Sequence, residues 1–209
     1  MIRGVIFDLD GTLVDAEIAH LKAWYIALEE LGIKLRGEID IKNLFGLRTI
    51  EIAEIIAGKE NARILAERKT QIFKEIVWKY AKPVRCSIEV INHIMSKGLK
   101  IAVVTSSSRA AAIETLKILG YLPEILIAGD DVEKGKPDPF PILMAISKMG
   151  LRPNEVIGVG DTINDLLAYH SAGLAMIFIL KNDKIVSNDL RNFTRLKIIE
   201  NLCELLNYI

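Results

Sequence analysis

The chain has 209 residues, 27 basic and 27 acidic side chains, a formal net charge of zero, and 51% hydrophobic residues. That balance leaves no electrostatic footprint for nucleic acid or a membrane surface, and no apolar run approaches the roughly 20 residues of a membrane-spanning helix, so a soluble globular protein is expected. Two cysteines, Cys86 and Cys203, with no secretory signal ahead of the first apolar run, predict a reduced, cytoplasmic protein with two free thiols. The length suits one main domain with an insertion. Sparse Gln beside abundant Ile, Lys and Glu leans toward a thermophilic source.

The first predicted element is the apolar run Val5-Ile6-Phe7, a buried strand broken by Asp8-Leu9-Asp10-Gly11-Thr12-Leu13. Helical period follows, with Ile18, Leu21, Trp24 or Tyr25, Leu28 and Leu31 at three- and four-residue spacing and a stop at Gly32. Further helices are expected over 39–45, 49–57 and 61–79 with no strand between them. Residues 15–81 therefore read as an all-helical insert, and Ala81-Lys82-Pro83 as the hinge back, because proline cannot continue a helix. Beyond the hinge, helices (87–97, 109–119, 140–149, 164–171) alternate with strands (100–105, 125–128, 156–160, 175–180). An amphipathic helix on Leu202, Leu205, Leu206 and Ile209 closes the chain. Such alternation predicts an α/β fold, a doubly wound and mostly parallel sheet formed by 1–14 and 82–209 with the helical insert at 15–81. In such sheets ligands gather beyond the carboxyl ends of the strands.

The chemistry-bearing residues fall at those ends. Asp8 and Asp10, two apart on an extended chain, project to one side. Two carboxylates about 4 Å apart repel by roughly 4 kcal/mol at an effective dielectric near 20, and a hard divalent cation such as Mg²⁺ is the natural compensation. Gly11 permits a sharp turn close to a ligand and Thr12 adds a donor. Thr105 and Ser106 end a strand just before a helix N-terminus, which is either an anion site or an ordinary cap. In Gly135-Lys136-Pro137-Asp138-Pro139, Asp138 and Pro139 are explained as a helix start. Lys136 is not: a cation beside a helix N-terminus is unfavourable unless an anion stands between them. Asp161 follows its strand as Asp8 does. Asp165 is either a metal ligand or half of a capping box with Thr162.

The D-x-D-G-T run, the strand-end Thr105, the G-K-P-D-P segment and Gly160-Asp161-Thr162-Ile163-Asn164-Asp165, in that order, resemble the four motifs of the haloacid dehalogenase superfamily, in its phosphoglycolate phosphatase and β-phosphoglucomutase-like branch. The resemblance implies a Rossmann-like core, a helical cap, and phosphoryl transfer on a small phosphorylated metabolite, with no nucleic-acid or membrane partner. It implies Asp8 as nucleophile, Asp10 as acid–base, and Lys136 contacting both nucleophile and phosphate. Gly11, Thr12, Thr105 and Ser106 would line the phosphate, and Asp8, Asp10, Asp161 and Asp165 would hold Mg²⁺. His20 and Arg48 resemble substrate-contacting cap positions, with Trp24 nearby. Gly160 departs from the mutases, which carry an acidic residue there, so hydrolysis is expected. Phosphomutase, dehalogenase and non-catalytic binding readings are the alternatives, and spacing fixes neither the substrate nor the oligomeric state.

Overall fold

A computed structural model of the protein describes residues 1–182, 190 and 193–209. Its centre is β1 (Gly4–Phe7), whose four residues are all buried, as a middle strand covered on both faces must be. Next along the chain come β2 (Val14–Asp15), α1 (Glu17–Glu30), α2 (Thr49–Ala57), α3 (Lys59–Tyr80), β3 (Lys82–Pro83), α4 (Ser87–Ser96) and β4 (Lys100–Val104). They are followed by α5 (Arg109–Ile118), β5 (Ile125–Ile127), α6 (Phe140–Met149), β6 (Val156–Gly160), α7 (Ile163–Ser171), β7 (Met176–Leu180) and β8 (Leu196–Ile199). The main sheet runs β5-β4-β1-β6-β7-β8, parallel throughout. This is the α/β fold expected from the alternation of elements.

Alternate residues of β1 feed opposite faces. Val5 and Phe7 join an apolar cluster with Val90, Ile94, Ala112 and Leu116 of α4 and α5, whereas Ile6 joins Ile142, Ala145, Leu166 and Tyr169 of α6 and α7. The first cluster continues without a break into the helical insert through Ala19, Trp24, Leu65 and Phe73. In that insert α1 and α2 both pack on α3. Register sets up the chemistry, because Phe7 pairs with Val103 on one side and Val159 on the other. Asp8, Thr105 and Asp161 are thereby delivered to one edge of the sheet.

Several local expectations change. The two crossings between core and insert are paired to each other as a short antiparallel ribbon, Val14 with Pro83 and Asp15 with Lys82. Two-residue strands carry no readable periodicity, so the hinge segment gave no sign of this. The helix expected over 39–45 is a single 3₁₀ turn, Ile41–Leu44. The closing amphipathic helix is also 3₁₀ (Leu202–Asn207), and it follows an unanticipated sixth strand, β8. The three-residue period of that turn aligns Leu202 and Leu205, which are buried, and leaves Leu206 and Ile209 only partly covered.

The two thiols are not free. Cys86 and Cys203 form a disulfide with Cα atoms 5.3 Å apart, and among the described residues no free cysteine is left. The expectation failed because nothing local in the sequence brings positions 117 residues apart together; packing of the last 3₁₀ turn against α4 does so. The bridge fastens the end of the chain just beyond the second crossing. Closing so long a loop is worth about 2–4 kcal/mol against the unfolded chain. Dithiothreitol, or Cys203→Ser, is therefore expected to lower Tm by about 5–15 °C in calorimetry. An unchanged Tm would show that the bridge contributes nothing in solution.

Candidate active site

The turn after β1 is built by its own backbone. The amides of Leu13 and Val14 both donate to the Leu9 carbonyl (2.9 and 3.1 Å), and the Gly11 amide donates to the Val14 carbonyl (2.8 Å). Gly11 has φ +93°, and a Cβ on it would lie 2.3 Å from Asp161 Oδ2, so both backbone freedom and the absence of a side chain are required. Thr12, wholly buried, donates from Oγ1 to Asp161 Oδ1 at 3.0 Å.

Lys136 is the hub. Its ammonium, 4% exposed as a residue, donates to Asp8 Oδ1 (2.5 Å), Asp165 Oδ1 (2.6 Å) and the Val104 carbonyl (3.1 Å), which uses all three of its protons. Of the two readings left open for Asp165, the capping box is present, and its other oxygen is spent on Lys136. Its Oδ2 accepts from the Thr162 amide (3.0 Å) and hydroxyl (2.6 Å) as a capping box, while its Oδ1 holds Lys136. Gly160 makes this possible, since a Cβ there would meet Asp165 Cβ at 2.5 Å. The glycine at the position where the mutases carry an acid thus has a local steric reason.

Asp8, Asp161 and Asp165 each offer an oxygen within 4.8 Å of the others. Burial pushes Asp8 up to about 7, with Lys136 pulling it down and Asp165 pushing it further up. Burial together with the charges of Asp8 and Asp165 raises Asp161 well above the carboxylate range. Lys136 moves the other way from an ordinary buried amine. Burial works to lower its pKa, but Asp165 and Asp8 outweigh it and the ammonium stays charged. Three carboxylates facing one ammonium leave an excess of negative charge that an all-oxygen, hard divalent cation matches. Asp8 and Asp161 are the ligands best suited to it, because both oxygens of Asp165 are already taken.

Asp10 has different neighbours. Ser107 Oγ donates to its Oδ2 at 2.6 Å, and His20 Nε2 stands 3.1 Å from its Oδ1 along a line too oblique for a full hydrogen bond. Burial would raise Asp10, but His20, Ser107 and Lys69 together hold it below the usual carboxylate value. Behind His20 lies Lys69, 2% exposed, with Nζ 2.8 Å from His20 Nδ1. Burial lowers Lys69 to about 8, with Asp10 opposing. Burial and Lys69 also lower His20, which is then neutral: Nδ1 accepts from the ammonium, and the proton sits on Nε2, toward Asp10. His20 stacks on Phe73 with centroids 4.1 Å apart.

These residues surround a cavity of about 100 Å³ between sheet edge and insert, which also meets Thr105 and Ser106 below and Trp24, Phe45, Leu47 and Ile52 above. Ser106 Oγ donates across it to the Gly46 carbonyl at 2.8 Å, and Thr105 Oγ1 accepts from the Ser107 amide at 3.1 Å. Arg48 is elsewhere. Its guanidinium donates to the Val132 carbonyl (2.7 Å) and Glu51 (2.9 Å) and lines a neighbouring cleft, so in this structure it ties the insert to the core. Sequence reasoning missed Ser107 and Lys69. Lys69 had a signal: it occupies the apolar stripe of α3 four residues from Leu65 and from Phe73, where a cation has no place unless something nearby needs it.

The family model for haloacid dehalogenase-like hydrolases matches residues 5–179. The chain belongs to that family. The phosphoglycolate phosphatase of Yersinia pseudotuberculosis is 33% identical over 190 residues (84% of this chain, 80% of that protein), and its Escherichia coli K12 counterpart is 31% identical over 199 (82% and 79%). Among solved structures, a hydrolase from Pseudomonas syringae superposes with TM-score 0.82 at 25% identity over 99% of both chains. CbbY from Rhodobacter sphaeroides, in complex with phosphate, superposes with TM-score 0.85 at 21% identity over 98% and 96%. Membership in this family of hydrolases, together with the phosphatases among its similar members, supports a phosphohydrolase. Among the described residues no helix is long and apolar enough to cross a membrane.

The carboxylate cluster predicts a pH signature. Asp8 titrates near 7 folded and 3.8 unfolded, so between those values the folded protein keeps a proton that the unfolded chain has lost. Its contribution to stability falls as pH rises from about 4 to about 7, by up to about 1.4 kcal/mol per pH unit. In metal-free thermal melts the wild type should lose stability relative to Asp8→Asn across that window. Mg²⁺ should raise Tm more at pH 7.5 than at pH 5.

Proposed function

We propose that the protein is a Mg²⁺-dependent phosphatase that hydrolyses a small phosphorylated metabolite through an aspartyl-phosphate on Asp8. The observation that carries this is geometric: Asp8, held by the Lys136 ammonium, and Asp10, held by Ser107 beside His20, face one small cavity from the same sheet edge. In the first step an oxygen of Asp8 attacks phosphorus, the bond to the ester oxygen breaks, and Asp10 gives that oxygen a proton. In the second, water attacks the aspartyl-phosphate while Asp10 takes a proton from it. The ionised state favoured by Ser107, His20 and Lys69 is the one the second step needs.

A carboxylate approaching a phosphate dianion meets repulsion of about 8 kcal/mol at a dielectric near 20, roughly a million-fold in rate if left uncancelled. Lys136 supplies one fixed positive charge against it, and the Ser106 amide and the Thr105 hydroxyl are the donors proposed for the phosphate oxygens; the buried Thr12 hydroxyl, expected there from the sequence, has already given its one proton to Asp161. A bound magnesium ion would supply further cancellation and orient the phosphate, held by Asp8, Asp161 and the Asp10 carbonyl. Asp165 acts here by positioning Lys136. Residues 15–81 serve as the cap that excludes bulk water.

A cavity near 100 Å³ is far smaller than the 300–1,000 Å³ of drug-sized sites, which supports a small leaving group. Phosphoglycolate, the compound named for the similar bacterial phosphatases, is accordingly the first substrate to test. Phosphate release from it with Mg²⁺ should fall by roughly 10⁴-fold or more in Asp8→Asn and be restored to the EDTA-treated wild type by added Mg²⁺. Full turnover by Asp8→Asn overturns the nucleophile assignment. Conversion of β-glucose 1-phosphate in the presence of a bisphosphate primer, without phosphate release, would favour a mutase instead.

A further inference from the structure

On the phosphatase reading above, on which this step rests, we infer that Arg48 of the insert is a positioning residue for Lys136. It fixes the segment that carries this lysine to the active-site edge, and it does so whatever the substrate.

Two features of Arg48 point toward that segment. The first is hydrogen bonding. Its Nη1 donates to the carbonyl of Val132, a residue of the loop that leads into Lys136, at 2.7 Å. Its other side is fixed by the insert itself, because Glu51 accepts from both the Arg48 amide and Nη2 at 2.9 Å. Arg48 thus reaches across the seam from a firm base, the first turn of α2. The second feature is steric. A Cβ on Gly135 would lie 2.7 Å from Arg48 Cγ and 2.8 Å from Cδ, so the arginine stem lies against the residue next to Lys136. Gly135 has no left-handed φ that would call for glycine, and the room its missing side chain leaves is taken by Arg48.

The segment needs such a hold. From Asp131 to Gly135 it forms neither helix nor strand, and Asp131, Glu133 and Lys134 are exposed. Gly135 then opens the turn that presents Lys136, its carbonyl accepting from the Asp138 amide at 3.0 Å. The ammonium has to meet Asp8, Asp165 and the Val104 carbonyl together. A misplacement of about 1 Å in such an arrangement costs about 100-fold in rate. Arg48 does not line the cavity that holds Asp8 and Asp10, so its effect on them runs through Lys136. Its Nε is buried without a hydrogen-bond partner, which would suit a ligand entering the neighbouring cleft, and substrate dependence separates that use from the positioning role.

The test measures phosphate release from 2-phosphoglycolate and from p-nitrophenyl phosphate, which share only the phosphate group. Full-length wild type, Arg48→Ala, Gly135→Ala and the double variant are compared with Mg²⁺. Arg48→Ala should lower kcat/KM by about 10- to 100-fold, by the same factor on both substrates and mostly in kcat. Gly135→Ala, which removes no functional group but takes the space of the arginine stem, should do the same. The double variant should be no worse than Arg48→Ala, since the added methyl then has room. Thr70→Val, which removes a different seam contact, to Ser108, should stay within about twofold of wild type. A loss confined to phosphoglycolate makes Arg48 a substrate contact and overturns the inference. So do losses that multiply in the double variant, and a Thr70→Val loss equal to that of Arg48→Ala. Should Arg48→Ala melt below the assay temperature, Gly135→Ala decides alone, and activity within about twofold of wild type overturns the inference. If the wild type releases phosphate from neither compound, the phosphatase reading itself falls, an outcome distinct from any pattern among the variants.

Discussion

One buried ammonium surrounded by carboxylates is the constraint on which the architecture turns. Lys136 is almost without solvent, and so are Asp8 and Asp165, its two ion-pair partners. Each charge would be prohibitive alone. Together they are tolerable only if three stretches distant in sequence meet within a few tenths of an ångström. Parallel pairing of β1 with β4 and β6 brings Asp8, the Val104 carbonyl and Asp161 to one edge, and the loop before α6 lowers Lys136 into the middle. Around that hub the small residues have no slack: a methyl at Gly11 would strike Asp161, and one at Gly160 would strike Asp165.

The second constraint is the seam between insert and sheet. Asp10 is held from both sides, by Ser107 of the core and His20 of the insert. The seam is drawn together by polar contacts, Ser106 to Gly46, Arg48 to Val132, and the hydroxyls of Thr70 and Ser108 at 3.2 Å, around an apolar interior shared with the sheet. Polar contacts of this kind exchange readily with water, whereas an apolar seam would cost far more to open. On the proposed reading, closing the seam both dries the cavity and completes the surroundings of the acid–base residue. Lys69 and His20 belong to the same device, since both reach the cavity only because the insert lies over it. The disulfide at Cys86 fixes the core side of the crossing through which the insert is attached.

Much of this was legible in the chain itself, for physical reasons that differ between residues. Residues 49–57, 140–149 and 156–160 form the elements that period and punctuation predicted, because local apolar spacing and glycine stops act within one turn or one strand. Asp8, Asp10, Lys136 and Asp161 were readable because each breaks a local rule: carboxylates ending an apolar strand, or a cation at the wrong pole of a helix. What the sequence could not decide was partnership across the fold. That Asp165 caps its helix with one oxygen and holds Lys136 with the other, that Arg48 turns to a core carbonyl, that Lys69 stands behind His20, and that Cys86 finds Cys203 are all facts of juxtaposition. Local spacing sets which face a side chain takes, and only the packing of one element on another sets what that face meets.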